Sequence, residues 1–373
     1  MKILFVHKSM NMGGIEKSLV SLTNELAEAN DVSVLLLNDT FGKDLFNNKI
    51  EFIKSNKIFR FLNPKKTYTK MQKSFIGFAK KLMKIVNIRA VLEKFASSLK
   101  VTDDEFDIAV AFHGEDYITC TQAANRVKAK KKFVFLHFDV NMVKIKKSVL
   151  KTYKEFDKII CVSRSCAEIF KNLHPELANK VDYLYNICDE DEINKKSNEF
   201  DVNYPKDCLN IISVSRLSKE KGYLESLQTF NLLKQKGYKF CWHIVGDGEE
   251  RPNIENFIGK NNMQDYVKLY GNQSNPYPYF KNADLFYLGS IHESFGISMI
   301  EAMILKIPVL TSKTISSCEV VGDYGFICDW ADDEIYRTLE LILKNPNILN
   351  EKKLELENYH FDKKPIIDKF LAL

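Results

Sequence analysis

The sequence lacks the features that mark exported, membrane-spanning or disulfide-linked proteins. Its first residues reach Lys8 and Asn11 before any apolar run long enough for a signal peptide, and no stretch of about 18 apolar residues follows. None of the eight cysteines belongs to a C-x-x-C pair or shares a metal-ligand spacing with histidine. We therefore expect a cytoplasmic protein with reduced, mostly buried thiols and no bound metal or cofactor.

The composition is that of an ordinary folded protein. Of the 373 residues, 45% are hydrophobic, 12% aromatic and 28% charged, which excludes a disordered or fibrous chain. At about 150 residues per domain, the length predicts two domains, each with its own core. A cleft between two such domains is a common place for an active site.

Positive charge is concentrated in the first half, although the formal net charge is only +5. Residues 54–100 hold 13 basic residues and one acidic residue, and residues 126–151 hold nine and one. Between Met71 and Phe95 apolar residues recur at helical spacing with lysines on another face, which predicts a basic amphipathic helix. Such a helix lies on an anionic membrane or packs its apolar stripe on the core, and both interpretations stay open. No recognised nucleic-acid motif accompanies the lysines, which argues against nucleic acid as a partner.

Short apolar runs alternate with helix-like periodicity along most of the chain, which predicts parallel, doubly wound sheets. Predicted strands of the first half cover residues 2–6, 32–38, 106–112, 132–138 and 158–163. Those of the second half cover residues 210–215, 240–246, 267–271, 283–289 and 308–312. We expect an α/β protein with two tandem Rossmann-like domains around a cleft, made of residues 1–188, a linker 189–207 and residues 208–373, the last helix packing back on the first domain.

Loops of the second half carry residue types suited to a phosphorylated ligand. Arg216 and Lys221 follow a predicted strand, where two cations can neutralise a diphosphate leaving group. Glu293 and Glu301 stand eight positions apart across a strand-to-helix turn, so both carboxylates can approach one side of a cleft. Amides of residues 295–297 at the helix start would bind phosphate oxygens. Solvated surface charges and a capped surface helix remain the alternatives.

The first half offers two further candidates. Gly13 and Gly14, in the loop after the first strand, would let a ligand approach the backbone closely. This loop is not G-x-G-x-x-G, so the dinucleotide fingerprint is absent. His137 ends a predicted strand and could hydrogen-bond a substrate hydroxyl, although a lone histidine is more often structural.

Taken in order, these segments resemble the retaining nucleotide-sugar glycosyltransferases of family 4, which have the two-Rossmann GT-B architecture. The matching motifs, in order, are Gly-Gly-x-Glu (13–16), His137, V-S-R-S (162–165), Asn186, S-R-L-x-x-E-K-G (215–222), V-G-D-G (245–248), E-x7-E (293–301), Ala302 and P-V (308–309). The sequence departs from the family pattern before the linker, where Tyr185 and Ile187 flank Asn186, and in the segment 315–319, which ends in Glu319 without the usual glycines.

The resemblance implies a role for each matched residue. Arg216 and Lys221 would bind the donor diphosphate, and Glu301 the ribose hydroxyls. Glu293 would lie against the donor sugar, and His137 would face the sugar from the other domain; both are expected to be catalytic. The substrate-binding set is then Gly13, Gly14, Arg216, Lys221, Gly246, Ser294, Phe295, Gly296, Ile297 and Glu301. Asn186 and Glu319 are weaker candidates.

The resemblance also implies a reaction: front-face transfer with retention, in which a phosphate oxygen of the leaving nucleotide helps to take the acceptor proton. We expect a metal-independent hexosyltransferase that moves a sugar from a nucleotide-diphosphate sugar, a UDP-sugar being favoured, to a saccharide or lipid-linked acceptor in bacterial surface polysaccharide or glycolipid synthesis. The basic helix predicts peripheral attachment to the inner face of the plasma membrane. The alternatives are a nucleotide-sugar epimerase of the same fold and a non-catalytic, membrane-associated subunit, with a nicotinamide oxidoreductase last.

Overall fold

The computed structural model describes residues 1–10, 13–37, 42–54, 99, 102–142 and 144–373. Within them the chain forms two β-sheets, one in each half, and all strand pairs within both sheets are parallel. The expected α/β architecture of two tandem Rossmann-like halves is confirmed. The basic helix expected between Met71 and Phe95 lies outside the described residues.

The first sheet has seven strands and is flanked by helices. The strands are β1 (Lys2–His7), β2 (Asp31–Leu36), β3 (Glu51–Ile53), β4 (Glu105–Ala111), β5 (Lys128–Leu136), β6 (Lys158–Cys161) and β7 (Val181–Tyr183). The described α-helices of this half are α1 (Gly14–Leu26), α2 (Tyr117–Thr121), α3 (Lys147–Tyr153) and α4 (Arg164–Leu173). The strand order is β3-β2-β1-β4-β5-β6-β7, so the winding reverses between β1 and β4 and opens a crevice at their carboxyl ends.

The second sheet has six strands in a related arrangement. The strands are β8 (Leu209–Val214), β9 (Phe240–Val245), β10 (Val267–Gly271), β11 (Leu285–Leu288), β12 (Val309–Ser312) and β13 (Gly325–Cys328). The helices are α5 (Glu190–Lys196), α6 (Tyr223–Gln235), α7 (Arg251–Lys260), α8 (Tyr277–Lys281), α9 (Ile297–Ile304), α10 (Ser317–Val321), α11 (Glu334–Lys344), α12 (Ile348–Glu357) and α13 (Lys364–Ala372). The order β10-β9-β8-β11-β12-β13 again reverses beside the first strand of the half, between β8 and β11.

The central strands are apolar along their length because both faces of each sheet are covered. In β1 the residues from Ile3 to Val6 are completely buried, and in β9 every residue from Phe240 to Val245 is buried. The sequences of these strands are therefore nearly continuous apolar runs, without a regular alternation of apolar and polar residues. No helix in the described ranges has both the length and the apolar character needed to cross a bilayer.

Two helices depart from the simple two-half plan. The segment expected to be a linker begins with α5, which is capped by the side chain of Asp189 and packs against α8 and α9. Only Ile193 of α5 is buried, so the sequence gives this helix almost no apolar periodicity. At the end of the chain, α13 returns to the first half, where Phe370 stacks on Phe5 with ring centroids 6.0 Å apart.

Candidate functional site

Loops that follow strands of one sheet contact loops that follow strands of the other. Ser294 Oγ, after β11, donates a hydrogen bond to the His137 carbonyl, after β5, at 2.8 Å. Asp139 Oδ2 lies 3.5 Å from His292 Nδ1 across the same boundary. The carboxyl edges of the two sheets therefore face each other, and most of the residues singled out from the sequence lie between them.

The Lys221 and Glu293 side chains form an ion pair in this cleft. Lys221 Nζ donates to Glu293 Oε2 at 2.5 Å, and the two side chains are 18% and 10% exposed. Two loops hold the pair in place, because the backbone amides of Ile291 and His292 both donate to the Glu220 carbonyl. Partial burial strengthens the electrostatic interaction of both groups with any charged ligand that enters.

Helix α9 starts beside this pair and is set by Gly296. This residue has φ of +82°, and a Cβ there would lie 2.2 Å from the Cε of Met299. The preceding Phe295 is buried and its ring stacks on that of Tyr185, from the end of the first half, at 5.6 Å. The unpaired amides at the start of α9 and the helix dipole make this end of the helix attractive to an anion.

The Gly13 and Gly14 turn lies directly across the cleft from α9. A Cβ on Gly14 would be 3.8 Å from Cδ1 of Ile297, so the starts of α1 and α9 approach each other closely. Both helices direct positive partial charge toward this region. Arg216, which precedes Lys221 in the same loop region of the sequence, carries a second full positive charge. Its side chain is exposed and forms no ion pair with the residues that the structure describes.

Glu301 lies just over one turn into α9 and is almost completely enclosed, its side chain being 3% exposed. Its Oε1 accepts hydrogen bonds from Tyr277 Oη at 3.0 Å and from Lys17 Nζ at 2.8 Å. Burial, and then the charge of Glu301, raise the pKa of Tyr277, so the phenol remains a donor. Because Lys17 belongs to α1, this carboxylate joins the two halves of the molecule.

His137 has the environment of a neutral imidazole. Its ring packs on Phe112 with centroids 4.4 Å apart, and its buried Nε2 has no hydrogen-bond partner in the described part of the chain. Burial, with further contributions from His7 and His113, lowers the pKa of His137 well below its usual value. At neutral pH the ring is therefore suited to hydrogen-bond a ligand hydroxyl rather than to carry charge.

A second polar group at the same edge was missed by sequence reasoning. His7, completely buried at the end of β1, has its Nε2 3.7 Å from Glu16 Oε1 and its ring centroid 5.4 Å from that of His113. Burial would raise the pKa of Glu16, but its interaction with His7 outweighs this and the net shift is downward. Strand register could have found this group, because His7 ends β1 and His113 follows the end of the neighbouring strand β4 by two residues. Within the described ranges, no three or more His, Cys, Asp or Glu side chains form a group able to hold a metal ion.

Glu319 and Asn186 both make contacts that tie elements together. Glu319 Oε1 accepts hydrogen bonds from the Arg164 amide at 2.7 Å and Tyr185 Oη at 2.6 Å. Its Oε2 accepts from the Ser165 amide at 3.0 Å and from Ser165 Oγ at 2.6 Å. Glu319 thus caps α4 from the opposite half. Asn186 is buried and its Oδ1 accepts from Ser18 Oγ of α1 at 2.6 Å.

Glu319→Ala should loosen the contact between the halves. The substitution removes four hydrogen bonds to a carboxylate, which together stabilise the contact between the halves by at least about 2 kcal/mol. Burial alone would raise the pKa of Glu319, but the hydrogen bonds outweigh it and hold the pKa below the ordinary value. Glu319 therefore stabilises the contact between the halves fully above the ordinary carboxyl range, and this contribution is lost as pH falls through the lowered pKa. Small-angle scattering should show a larger radius of gyration for Glu319→Ala at pH 7, and a smaller further expansion on acidification than in the parent.

Gly246, expected to bind substrate, has a clear packing role. Its φ is +144°, and a Cβ there would lie 1.9 Å from the Ser215 carbonyl oxygen. Its amide donates to the Gly271 carbonyl at 2.8 Å, which fixes the loop after β9 against β10. The glycine is required for the loops around Arg216 to pack at all.

Gly246→Ala should therefore lower the free energy of unfolding by about 3 kcal/mol, through backbone strain and a forced separation of the two loops. Gly259→Ala is the matched control, because no atom lies within 4 Å of its added Cβ and it sits in α7. That change should stabilise the protein by about 0.5 kcal/mol. Urea denaturation of both variants measures the difference, and equal stabilities would contradict the packing role.

Part of the chain matches known proteins in sequence. Residues 194–360 match the family model Glycosyl transferases group 1. An uncharacterized glycosyltransferase of Methanocaldococcus jannaschii is 30% identical over 164 residues, which cover 43% of this chain and only 40% of that relative. The O-antigen biosynthesis glycosyltransferase WclY of Escherichia coli is 27% identical over 243 residues, 61% of this chain and 67% of WclY.

The whole chain also resembles a solved structure. A variant of TarM from S. aureus, in complex with fondaparinux, alpha-GlcNAc-glycerol and UDP, aligns with a TM-score of 0.74 and 14% identity over 100% of this chain and 99% of TarM. A likeness at this identity shows the fold, and it matches the two-sheet architecture described above. The chain therefore has the GT-B fold, and its residues 194–360 match the Glycosyl transferases group 1 family model.

Proposed function

We propose that this protein is a retaining glycosyltransferase that moves a sugar from a nucleotide-diphosphate sugar to a saccharide or lipid-linked acceptor, with a UDP-sugar as the favoured donor. The observation that carries the proposal is the partly buried Lys221 and Glu293 pair beside the start of α9. The names of the similar proteins support it: WclY is a glycosyltransferase of O-antigen biosynthesis, and the TarM structure contains UDP. Surface polysaccharide synthesis is therefore the process we propose.

The chemistry that such a site has to supply is mainly electrostatic. When the bond between the anomeric carbon and the phosphate oxygen breaks, its electron pair leaves with the diphosphate and positive charge develops on the sugar. Arg216, Lys221 and the first amides of α9 would stabilise the departing diphosphate. Glu293 would offset the positive charge on the sugar, which places a negative and a positive protein group at the two ends of the breaking bond.

The acceptor hydroxyl would attack the anomeric carbon from the face that the diphosphate leaves. The new bond forms from the acceptor oxygen to that carbon, and the hydroxyl proton passes to a phosphate oxygen of the nucleotide. Neutral His137, whose Nε2 has no partner among the described residues, would hold a sugar hydroxyl during this step. The contacts between the halves, including that of Ser294 with His137, would exclude water and favour transfer over hydrolysis.

A nucleotide-sugar panel tests this proposal. UDP-, GDP-, ADP- and dTDP-sugars are added to the protein in EDTA, and thermal stability and slow release of free nucleotide are both recorded. We expect one donor to raise the melting temperature by mass action and to be hydrolysed slowly. Conversion of that donor into an epimer without an acceptor would favour the epimerase alternative. No response to any nucleotide would favour a non-catalytic subunit.

Peripheral membrane attachment is a second part of the proposal, and it depends on the basic sequence between residues 54 and 100. In the other basic block, Lys128 pairs with Glu105 at 2.8 Å and Lys130 with Asp107 at 2.7 Å, so part of its charge is already neutralised. Flotation with anionic liposomes at low salt should carry the protein upward, and neutral liposomes should not. Protein left in the soluble fraction with both would contradict attachment.

A further inference from the structure

Lys17 reaches from α1 of the first half into the Glu301 pocket of the second. Its Nζ lies 2.8 Å from Glu301 Oε1 and 5.3 Å from the centroid of the Tyr277 ring. The Lys17 side chain is 45% exposed, whereas that of Glu301 is 3% exposed. The lysine therefore approaches an enclosed carboxylate from the open side of the cleft, where a ligand would also enter.

The two oxygens of Glu301 are used differently. Tyr277 and Lys17 both donate to Oε1. No hydrogen bond from the described residues reaches Oε2, and Oε2 is not among the enclosed polar atoms that lack a partner. Among the described residues Oε2 therefore has no donor and can accept from a ligand hydroxyl, while Oε1 is already held in position by two donors.

A cation beside Glu301 has a clear physical purpose. An enclosed carboxylate is costly unless a positive group or several donors compensate it. Glu301 has to remain ionised to act as a strong acceptor for hydroxyl groups. Lys221 pairs with Glu293, and the charge that compensates Glu301 comes from Lys17 in the opposite half.

We propose that Lys17 is a positioning residue that the first half contributes to the nucleotide subsite of the second. This inference rests on the proposed function. With nucleotide bound, Lys17 stays paired to Oε1 and orients the carboxylate, so that Oε2 accepts a hydrogen bond from a ribose hydroxyl. Occupation of the nucleotide subsite and the approach of the two halves then support each other, because one carboxylate takes part in both.

The competing possibility is that Lys17 only fills the pocket and has to leave before ribose binds. The two possibilities predict opposite effects of removing the charge. If Lys17 orients Glu301, Lys17→Met weakens nucleotide binding; if Lys17 competes with ribose, the same substitution strengthens it. Lys17→Met keeps most of the side-chain volume, so the comparison isolates the ammonium group.

Isothermal titration calorimetry with UDP, or with the nucleotide that the panel selects, tests the inference. We expect Lys17→Met to raise Kd at least about 10-fold, as for one charged hydrogen bond, and Lys17→Arg to recover most of the loss. Lys130→Met is the matched control, because Lys130 is 81% exposed at the opposite edge of the sheet and pairs with Asp107. Its Kd should equal that of the parent.

Two further titrations connect the effect to Glu301 and ribose. In a Glu301→Gln background, Lys17→Met should add less than about a threefold change, because the two residues act as one unit. With the 2′,3′-dideoxy nucleotide, parent and Lys17→Met should bind equally. An unchanged or lower Kd for Lys17→Met would overturn the inference and leave the proposed function standing. Failure of the parent to bind any nucleotide would overturn both.

Discussion

Lys221→Ala is expected to lower kcat about 1000-fold, the largest effect of any single substitution in this site. Lys221 is the partly buried cation beside the start of α9, and in the proposed reaction it stabilises negative charge that develops on the diphosphate. Because this charge is greatest in the transition state, kcat should fall much more than the affinity for donor. Steady-state kinetics with the preferred donor measures the effect.

The same substitution leaves Glu293 without its partner, so stability has to be separated from catalysis. Removing one partner of a buried pair lowers the free energy of unfolding by about 3 kcal/mol, and removing both charges restores much of this stability. We therefore expect Lys221→Met with Glu293→Gln to be nearly as stable as the parent in urea while remaining inactive. Lys221→Ala with near-parental kcat, or recovery of activity in the stable double variant, would contradict the role given to this pair.

Glu301→Gln is expected to lower kcat/KM about 100-fold, mainly through a higher KM for the donor. In the parent, Tyr277 donates to Glu301 Oε1 at 3.0 Å, and glutamine keeps an oxygen that can accept this bond. Glutamine lacks the negative charge that Lys17 and a ribose hydroxyl recognise. The interaction is made in ground state and transition state alike, so KM rather than kcat carries the loss. Rates measured at saturating and at low donor concentration separate the change in kcat from the change in KM.

Glu340→Gln is a suitable control for this measurement. Glu340 lies on α11, late in the second half, and its carboxylate pairs with Lys236 and Lys344. Its KM and kcat should both match those of the parent. A Glu301→Gln enzyme with parental KM and strongly reduced kcat would place Glu301 in the chemical step instead of in donor binding.

The strands of the two sheets were predictable because the central ones are buried on both faces. The run from Ile3 to Val6 is apolar at every position, and that from Phe240 to Val245 at every position except His243, which a sequence shows directly. The short strands β3 and β7 have three residues each, too few for a pattern. Helix α5 was missed because its start depends on the Asp189 cap and an acidic first turn, with one buried side chain.

The candidate site was predicted unevenly, for a physical reason. Lys221 and Glu293 follow strands and Glu301 lies in α9, all within segments whose local sequence is distinctive, and the structure brings the first two into contact. The contacts of Lys17 and Glu319 join residues more than 130 positions apart, so no local pattern contains them. For Gly246 the sequence is ambiguous in a different way. A glycine that packing requires and a glycine that binds substrate look the same in a sequence.

The stereochemistry of the first released product tests the central claim most directly. The parent enzyme is mixed with its preferred nucleotide sugar, and the anomeric proton of the sugar is followed by NMR in the first minutes, with water or a simple alkyl glycoside as acceptor. The proposed function predicts release of nucleoside diphosphate in step with a new sugar signal of the same anomeric configuration as the donor, and loss of both signals in Glu293→Gln. Inverted configuration, or an intact donor in the presence of every acceptor, would contradict it.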